Sequence, residues 1–207
     1  MSVQMATAMV CEEFGEPLVP REFPVPDPEP GAVIVEVTAA GICGSDLDII
    51  GGDDPRIPLP LIPGHEGVGR VISTGGDRTD MFGDPLQAGD KIVWHRGITC
   101  GRCYYCAVKR DPSLCPNRQV YGISLSCAEP PHFNGCYSEI VYVRPESEIM
   151  RLPEDADEGV LVSATCSGAT AAHSVELADI QIGDTVVVIG PGPLGIYTAA
   201  FAFERGA

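Results

Sequence analysis

The chain has 207 residues, 29 of them acidic and 13 basic, for a formal net charge of −16 with histidine neutral. With 44% hydrophobic and 20% charged residues it can bury a core, which excludes global disorder. An isoelectric point near 4.4 speaks against nucleic acid or an anionic membrane surface as partner, because both are bound through lysine and arginine.

No apolar run reaches the roughly 18–20 residues a membrane helix needs. The opening MSVQMATAMVCEEF lacks the basic-then-apolar order of a secretory leader, so a soluble cytoplasmic protein without membrane contact is expected. Nine cysteines is an odd number, and four of them crowd into residues 100–115. In a reducing compartment such crowding points to metal binding rather than to disulfides.

In chain order, the proline-rich stretch up to Pro30 excludes helix and suits edge strands and turns. Residues 32–38 (AVIVEVT) are rich in β-branched side chains and predict a strand. Residues 65–72, 89–94 and 136–143 predict three more, so roughly the first 150 residues read as a barrel-like β body. The pattern changes near Pro153. Residues 154–177 carry alanine-rich helical stretches, with the acidic run 154–158 at a solvated helix start. Residues 184–189 (DTVVVI) form an apolar run of the kind buried on both faces of a parallel sheet. A helix over 196–203 follows. No internal repeat is visible.

The motif CGRCYYCAVKRDPSLC sets Cys100, Cys103 and Cys106 at two-residue gaps and Cys115 eight residues on. Such spacing lets four thiolates converge tetrahedrally on zinc, with no position left for a substrate, so this site is structural. The bacterial iron–sulfur run is the rival, but its last gap is three residues. Between the apolar run and the last helix stands GPGPLG, where Gly190, Gly192 and Gly195 fit the dinucleotide-binding pattern in its proper strand–turn–helix context. Gly190 allows the tight turn, Gly192 the approach of a pyrophosphate, and Gly195 close packing; Pro193 and Leu194 complete the loop at the helix N-terminus.

Taken together, GICGSD, GHEGVG, CGRCYYCAVKRDPSLC, TCSGAT and VVVIGPGPLG resemble, in order, the zinc-dependent medium-chain alcohol dehydrogenases. The resemblance implies a GroES-like β-barrel catalytic domain over 1–153 and the first βα unit of a Rossmann dinucleotide-binding domain over 154–207. It implies a catalytic zinc on Cys43, His65 and Cys166, making two zinc ions per chain with the structural one. Glu66 matches the acidic residue behind that metal, Asp46 the carboxylate that orients the zinc histidine, and Ser45 the hydroxyl that relays the alcohol proton. The activity implied is hydride transfer between a small alcohol, aldehyde or ketone and NAD or NADP, with zinc acting as a Lewis acid.

Two positions depart from the family's habits. Asp48 stands where some members place a relay histidine. Arg96 stands in a stretch that often lines the substrate pocket; it is expected on a solvated loop, with a carboxylate- or phosphonate-binding role as the alternative. Cys11, Cys127 and Cys136 read as buried or incidental thiols, and of His95, His132 and His173 only His95 lies near the expected pocket.

The residue that selects NAD or NADP is expected about 20 residues past the glycines, beyond Ala207. The apolar run and last helix are therefore expected to expose apolar surface, and activity of these residues alone is in doubt. The expected macromolecular partner is a second copy or a complementary C-terminal part. Other readings are a non-catalytic zinc-stabilised module and a zinc-free quinone reductase. The second is disfavoured by the three intact ligand positions, and a zinc-finger nucleic-acid binder by charge.

Overall fold

The alternation of β-branched residues on opposite faces of one strand organises the molecule. In a computed structural model, which describes residues 4–207, that strand is β3 (Val33–Ala40), preceded by a ribbon of β1 (Met5–Val10) and β2 (Val19–Pro24). Val33 and Val35 face one core with Val71, Ile92, Trp94, Val141, Val143 and Tyr121. Ile34 faces a second core with Ala8, Val10, Ile62, Phe133 and Tyr142. Two cores back to back make β3 the central layer, and its first three residues are wholly buried.

The chain continues through α1 (Gly44–Gly51), β4 (Gly67–Thr74), β5 (Lys91–Trp94), the short pair β6 (Gly97–Ile98) and β7 (Gln119–Val120), then β8 (Ile140–Val143) and β9 (Ile149–Arg151). Five of these strands form an antiparallel sheet in the order β8-β3-β4-β5-β9. The strands expected at 32–38, 65–72, 89–94 and 136–143 are all present, the second and third starting two residues later than expected and the fourth four residues later. Among the described residues the hydrogen bonding leaves β8 and β9 as edges, so the expected barrel-like body is an open sheet flanked by two-stranded ribbons. The pair β6–β7 closes the base of the lobe that carries the cysteine cluster.

The helical region runs α2 (Glu158–Ser163), a π-helical turn over Ala164–Gly168, α3 (Ala169–Leu177) and α4 (Pro193–Glu204). The acidic run does start a helix: the Asp157 carboxylate accepts from the amides of Gly159 and Val160, capping α2. Lys91, buried at the end of β5, donates to the carbonyls of Glu154 and Ala156 and faces Glu158 at 3.4 Å. One cation thus ties the sheet to the helical region.

Residues 184–189 depart from expectation. They belong to no sheet, because a strand exists only through hydrogen bonds to a neighbour and no described segment pairs with them. Val187 and Ile189 are consequently 81% and 95% exposed. Among the described residues no helix is long and apolar enough to cross a membrane.

Candidate active site and metal centres

Cys43 precedes α1, and the first turn of that helix builds the site's framework. Asp46 reaches back so that its Oδ2 accepts from the Cys43 amide at 2.8 Å, a reciprocal capping arrangement. Its Oδ1 lies 3.1 Å from Nδ1 of His65, both side chains being fully buried. A carboxylate can only accept, so Nδ1 carries the proton and donates. The Tyr137 hydroxyl donates to Asp46 Oδ2 at 3.1 Å. Burial raises the Asp46 carboxyl, but the hydrogen bond and charge of His65 outweigh it and hold the group below its usual range.

His65 and Glu66 sit just before β4, and Cys166 is turned inward by the π-helical turn between α2 and α3. Such turns widen the helix and re-aim a side chain. One ligand-type atom each from Cys43, His65, Glu66 and Cys166 lies within 4.8 Å of the others. Gly41 makes room for this: a Cβ there would stand 2.2 Å from Glu66 Oε2. The Ser45 hydroxyl donates to Cys43 Sγ at 3.3 Å. Burial pushes the Cys43 thiol up, and hydrogen bonds from Ser45 together with His65 more than reverse that. Burial likewise raises the Glu66 carboxyl, His65 working against it.

The charges here call for a cation. His65 Nε2 is buried without a hydrogen-bond partner among the described residues. Burial opposes charge on that ring, yet Asp46 and Cys166 outweigh it and raise its pKa to about 10. A metal ion on Nε2 would supply the same positive charge in place of a proton, with Nδ1 still donating to Asp46.

The second group is local. Cys100, Cys103, Cys106 and Cys115 also gather within 4.8 Å. Their sulfur separations include 3.5 Å (Cys103–Cys106), 3.6 Å (Cys100–Cys115) and 3.9 Å (Cys103–Cys115). Four ligands tetrahedral at about 2.3 Å from zinc stand about 3.8 Å apart. Amides of Arg102 and Cys103 lower Cys100 to about 6, while partial burial and the neighbouring sulfurs push Cys106 up to about 11. Cys100 thus ionises more easily than an ordinary thiol and Cys106 less easily, as neighbouring sulfurs competing for one negative charge do.

At the glycine loop, Gly190 has φ +110° and a Cβ on Gly195 would meet the Gly190 carbonyl at 1.9 Å. Gly192, the N-cap of α4, has nothing within 4 Å of its missing Cβ and no capping side chain, and Pro193 stands in the first turn with Leu194. The first amides of α4 are therefore open to an anion. The Tyr197 hydroxyl donates to the Val160 carbonyl at 3.0 Å and pairs with Ser163 at 3.1 Å, fastening α4 to the helix that leads into Cys166.

Arg96 corrects its expectation. It does lie in the loop between β5 and β6, but it is half-buried there and its Nη1 is 3.1 Å from Cys166 Sγ. Asp48 is exposed on α1, and Cys11, Cys127 and Cys136 are buried thiols. His95 hydrogen-bonds the Gly97 carbonyl, His132 stacks on Phe23, and His173 lies beside Glu176. Tyr137 and Arg118 escaped the sequence reading, because neither stands in a recognisable motif.

Residues 29–154 match the family described as "Alcohol dehydrogenase GroES-like domain". The chain belongs to that family. It is 34% identical over 202 residues to an alcohol dehydrogenase of Rhizobium meliloti, covering 97% of this chain and 55% of the relative. It is 34% identical over 188 residues to 5-exo-hydroxycamphor dehydrogenase of Pseudomonas putida, covering 90% and 50%. Among solved structures, an alcohol dehydrogenase from Thermotoga maritima superposes with a TM-score of 0.95 at 48% identity, covering 99% of this chain and 56% of that one. A zinc-binding dehydrogenase from Sinorhizobium meliloti, bound to NADP, gives 0.81 at 30% identity, covering 99% and 54%. The chain thus spans about half the length of the relatives it matches, and the zinc-type alcohol dehydrogenase resemblance of its motifs holds.

Proposed function

We propose that this chain carries the metal centre and the first part of the cofactor site of a zinc-dependent dehydrogenase acting on a small alcohol, aldehyde or ketone with NAD or NADP. The observation that supports this reading is the convergence of Cys43, His65 and Cys166, from segments far apart in sequence, around a buried imidazole nitrogen with no partner. Zinc bound there would supply a Lewis acid for the substrate oxygen, and NAD or NADP would supply the hydride acceptor or donor.

The chain's own residues do the rest. Cys43, His65 and Cys166 hold the catalytic ion, and Asp46 fixes the imidazole so that Nε2 faces it. Ser45, with its hydroxyl 3.3 Å from Cys43 Sγ, accepts the proton from the substrate hydroxyl and passes it toward water, with Asp48 on the exposed side of the helix. Glu66 supplies negative charge behind the ion. Cys100, Cys103, Cys106 and Cys115 hold the structural ion. Gly190, Gly192, Pro193, Leu194 and Gly195 receive the cofactor's pyrophosphate at the N-terminus of α4.

Elemental analysis of the folded chain tests the reading. About two zinc ions per chain are expected, falling to one in His65→Ala with loss of alcohol-dependent NAD or NADP reduction wherever the unsubstituted protein shows it. One zinc in the unsubstituted chain overturns the catalytic centre in favour of a zinc-stabilised module, and iron with sulfide overturns the zinc assignment.

A further inference from the structure

An open cleft of about 820 Å³ adjoins the Cys43–His65–Cys166 site, and its wall includes Cys166, Thr170, Arg96, Arg110 and Arg118. Three arginines lining one cleft are notable in a chain with net charge −16. Arg21, Arg56, Arg70 and Arg151 each pair with a carboxylate; among the described residues Arg96, Arg110 and Arg118 do not. Asp111, Glu146 and Glu148 also line the cleft, and among the described residues none of them forms an ion pair with these guanidinium groups.

The ladder at the base of the cysteine lobe brings two of them together. Gly97 pairs with Val120 across β6–β7, and the Tyr121 amide donates to the Arg96 carbonyl at 3.0 Å. Arg118 then lies over Gly97: a Cβ there would come 2.9 Å from Arg118 Nε and 3.1 Å from Nη2. The missing side chain lets one guanidinium settle beside the residue that carries the other. Loss of water contact, and then the charge of Arg96, make Arg118 a weaker base than an ordinary arginine. Arg96 also touches Cys166 Sγ, so an anion held between the arginines would have its next carbon atoms close to the candidate catalytic centre.

We propose that Arg96 and Arg118 form the specificity site for a small oxyanion, a carboxylate or phosphonate carried by the substrate. This rests on the dehydrogenase reading and narrows its substrate class to anionic alcohols and aldehydes. A guanidinium fork donates two parallel bonds to such a group, and an oxyanion between the two cations relieves their repulsion. A neutral substrate would leave both charges uncompensated.

The probes are propionate, methylphosphonate and neutral propionamide, titrated into the zinc-loaded chain at constant ionic strength. Calorimetry gives the affinity. The fluorescence of Trp94, the single tryptophan and two residues from Arg96, reports occupancy independently. Both oxyanions are expected to bind at one site, competing with each other, and at least about 10-fold more tightly than propionamide. Removing one charged donor is worth about 1.5–3 kcal/mol, so Arg96→Ala and Arg118→Ala should each weaken binding roughly 10- to 100-fold. Arg96→Lys, which keeps the charge without the fork, should fall between, and Arg70→Ala should change nothing.

Equal affinity for propionamide overturns the proposal, as does propionate binding that survives Arg96→Ala, which would place the anion on the metal alone. An equal loss in Arg70→Ala would make the effect one of diffuse charge and overturn it as well. The relative strength of propionate and methylphosphonate tells which oxyanion the cleft prefers. Zinc content of the same samples separates the two readings. Two zinc ions without oxyanion binding sink this proposal alone. One zinc with binding retained sinks the dehydrogenase centre and leaves the cleft as an anion site.

Discussion

The two thiolate groups of this molecule are assembled in opposite ways. Cys100, Cys103, Cys106 and Cys115 lie within one lobe whose π-helical turn, Tyr104–Lys109, buries none of its residues and leaves Tyr104 and Val108 exposed. Cys43, His65, Glu66 and Cys166 come from a helix start, the entry to a central strand and a helical turn, and Asp46 and Tyr137 brace them. The first group is closed by short loops and has no core of its own, so an ion must order it. The second is positioned by the sheet and its hydrogen bonds before any ion arrives, so an ion adds charge rather than shape.

Breaking the local group should have the largest effect. Cys103→Ser leaves three sulfurs and a lobe with nothing else to hold it. Zinc should fall by one per chain, and limited proteolysis should cut within residues 100–115 while the five-stranded sheet and the other site persist. A lobe that stays protected would mean that β6–β7 alone orders it.

The distributed group should yield more gently. Asp46→Asn keeps the shape but removes the negative charge that holds His65, and changes of this kind typically cost about 10- to 100-fold in metal affinity. Competition with a chelator should show that loss at one site only, with the four-cysteine site unchanged. Equal weakening of both would show that Asp46 acts through the fold instead. Next comes Gly41→Ala, whose added methyl would meet the Glu66 carboxylate at 2.2 Å. Overpacking of this order costs about 1–3 kcal/mol. The melting temperature should drop by several degrees, with no change in the lobe's zinc.

The same contrast explains what could be read in the sequence. Cysteine spacing sufficed to gather the local group, and the glycine turn that opens α4 was legible as GPGPLG, because both are contiguous. The distributed group was visible only through resemblance to a family. The Arg96–Cys166 contact joins residues 70 apart, and Tyr137–Asp46 joins residues 91 apart; no local pattern encodes either. The run at 184–189 has the right residues for a buried strand and still forms no ladder, since pairing is a relation between two segments. Even the helix α1 was missed, although its Cys43–Asp46 capping pair stands in plain view as CGSD.

Tyr137 gives the smallest and most discriminating effect. Its ring packs where a Cβ on Gly64 would collide at 2.5 Å, and its hydroxyl donates to the same Asp46 oxygen that accepts from the Cys43 amide. Tyr137→Phe keeps the ring and deletes one hydrogen bond, worth about 0.5–1.5 kcal/mol, so zinc affinity at the distributed site should fall roughly 2- to 13-fold. Asp46 then keeps His65 Nδ1 and the Cys43 amide, which is why the loss stays below that of Asp46→Asn. In Tyr137→Phe combined with Asp46→Asn the two losses should not add, because the hydroxyl acts through the carboxylate. Full additivity would mean that the Tyr137 hydroxyl acts independently of the Asp46 carboxylate, through its 3.5 Å contact with the Gly41 carbonyl.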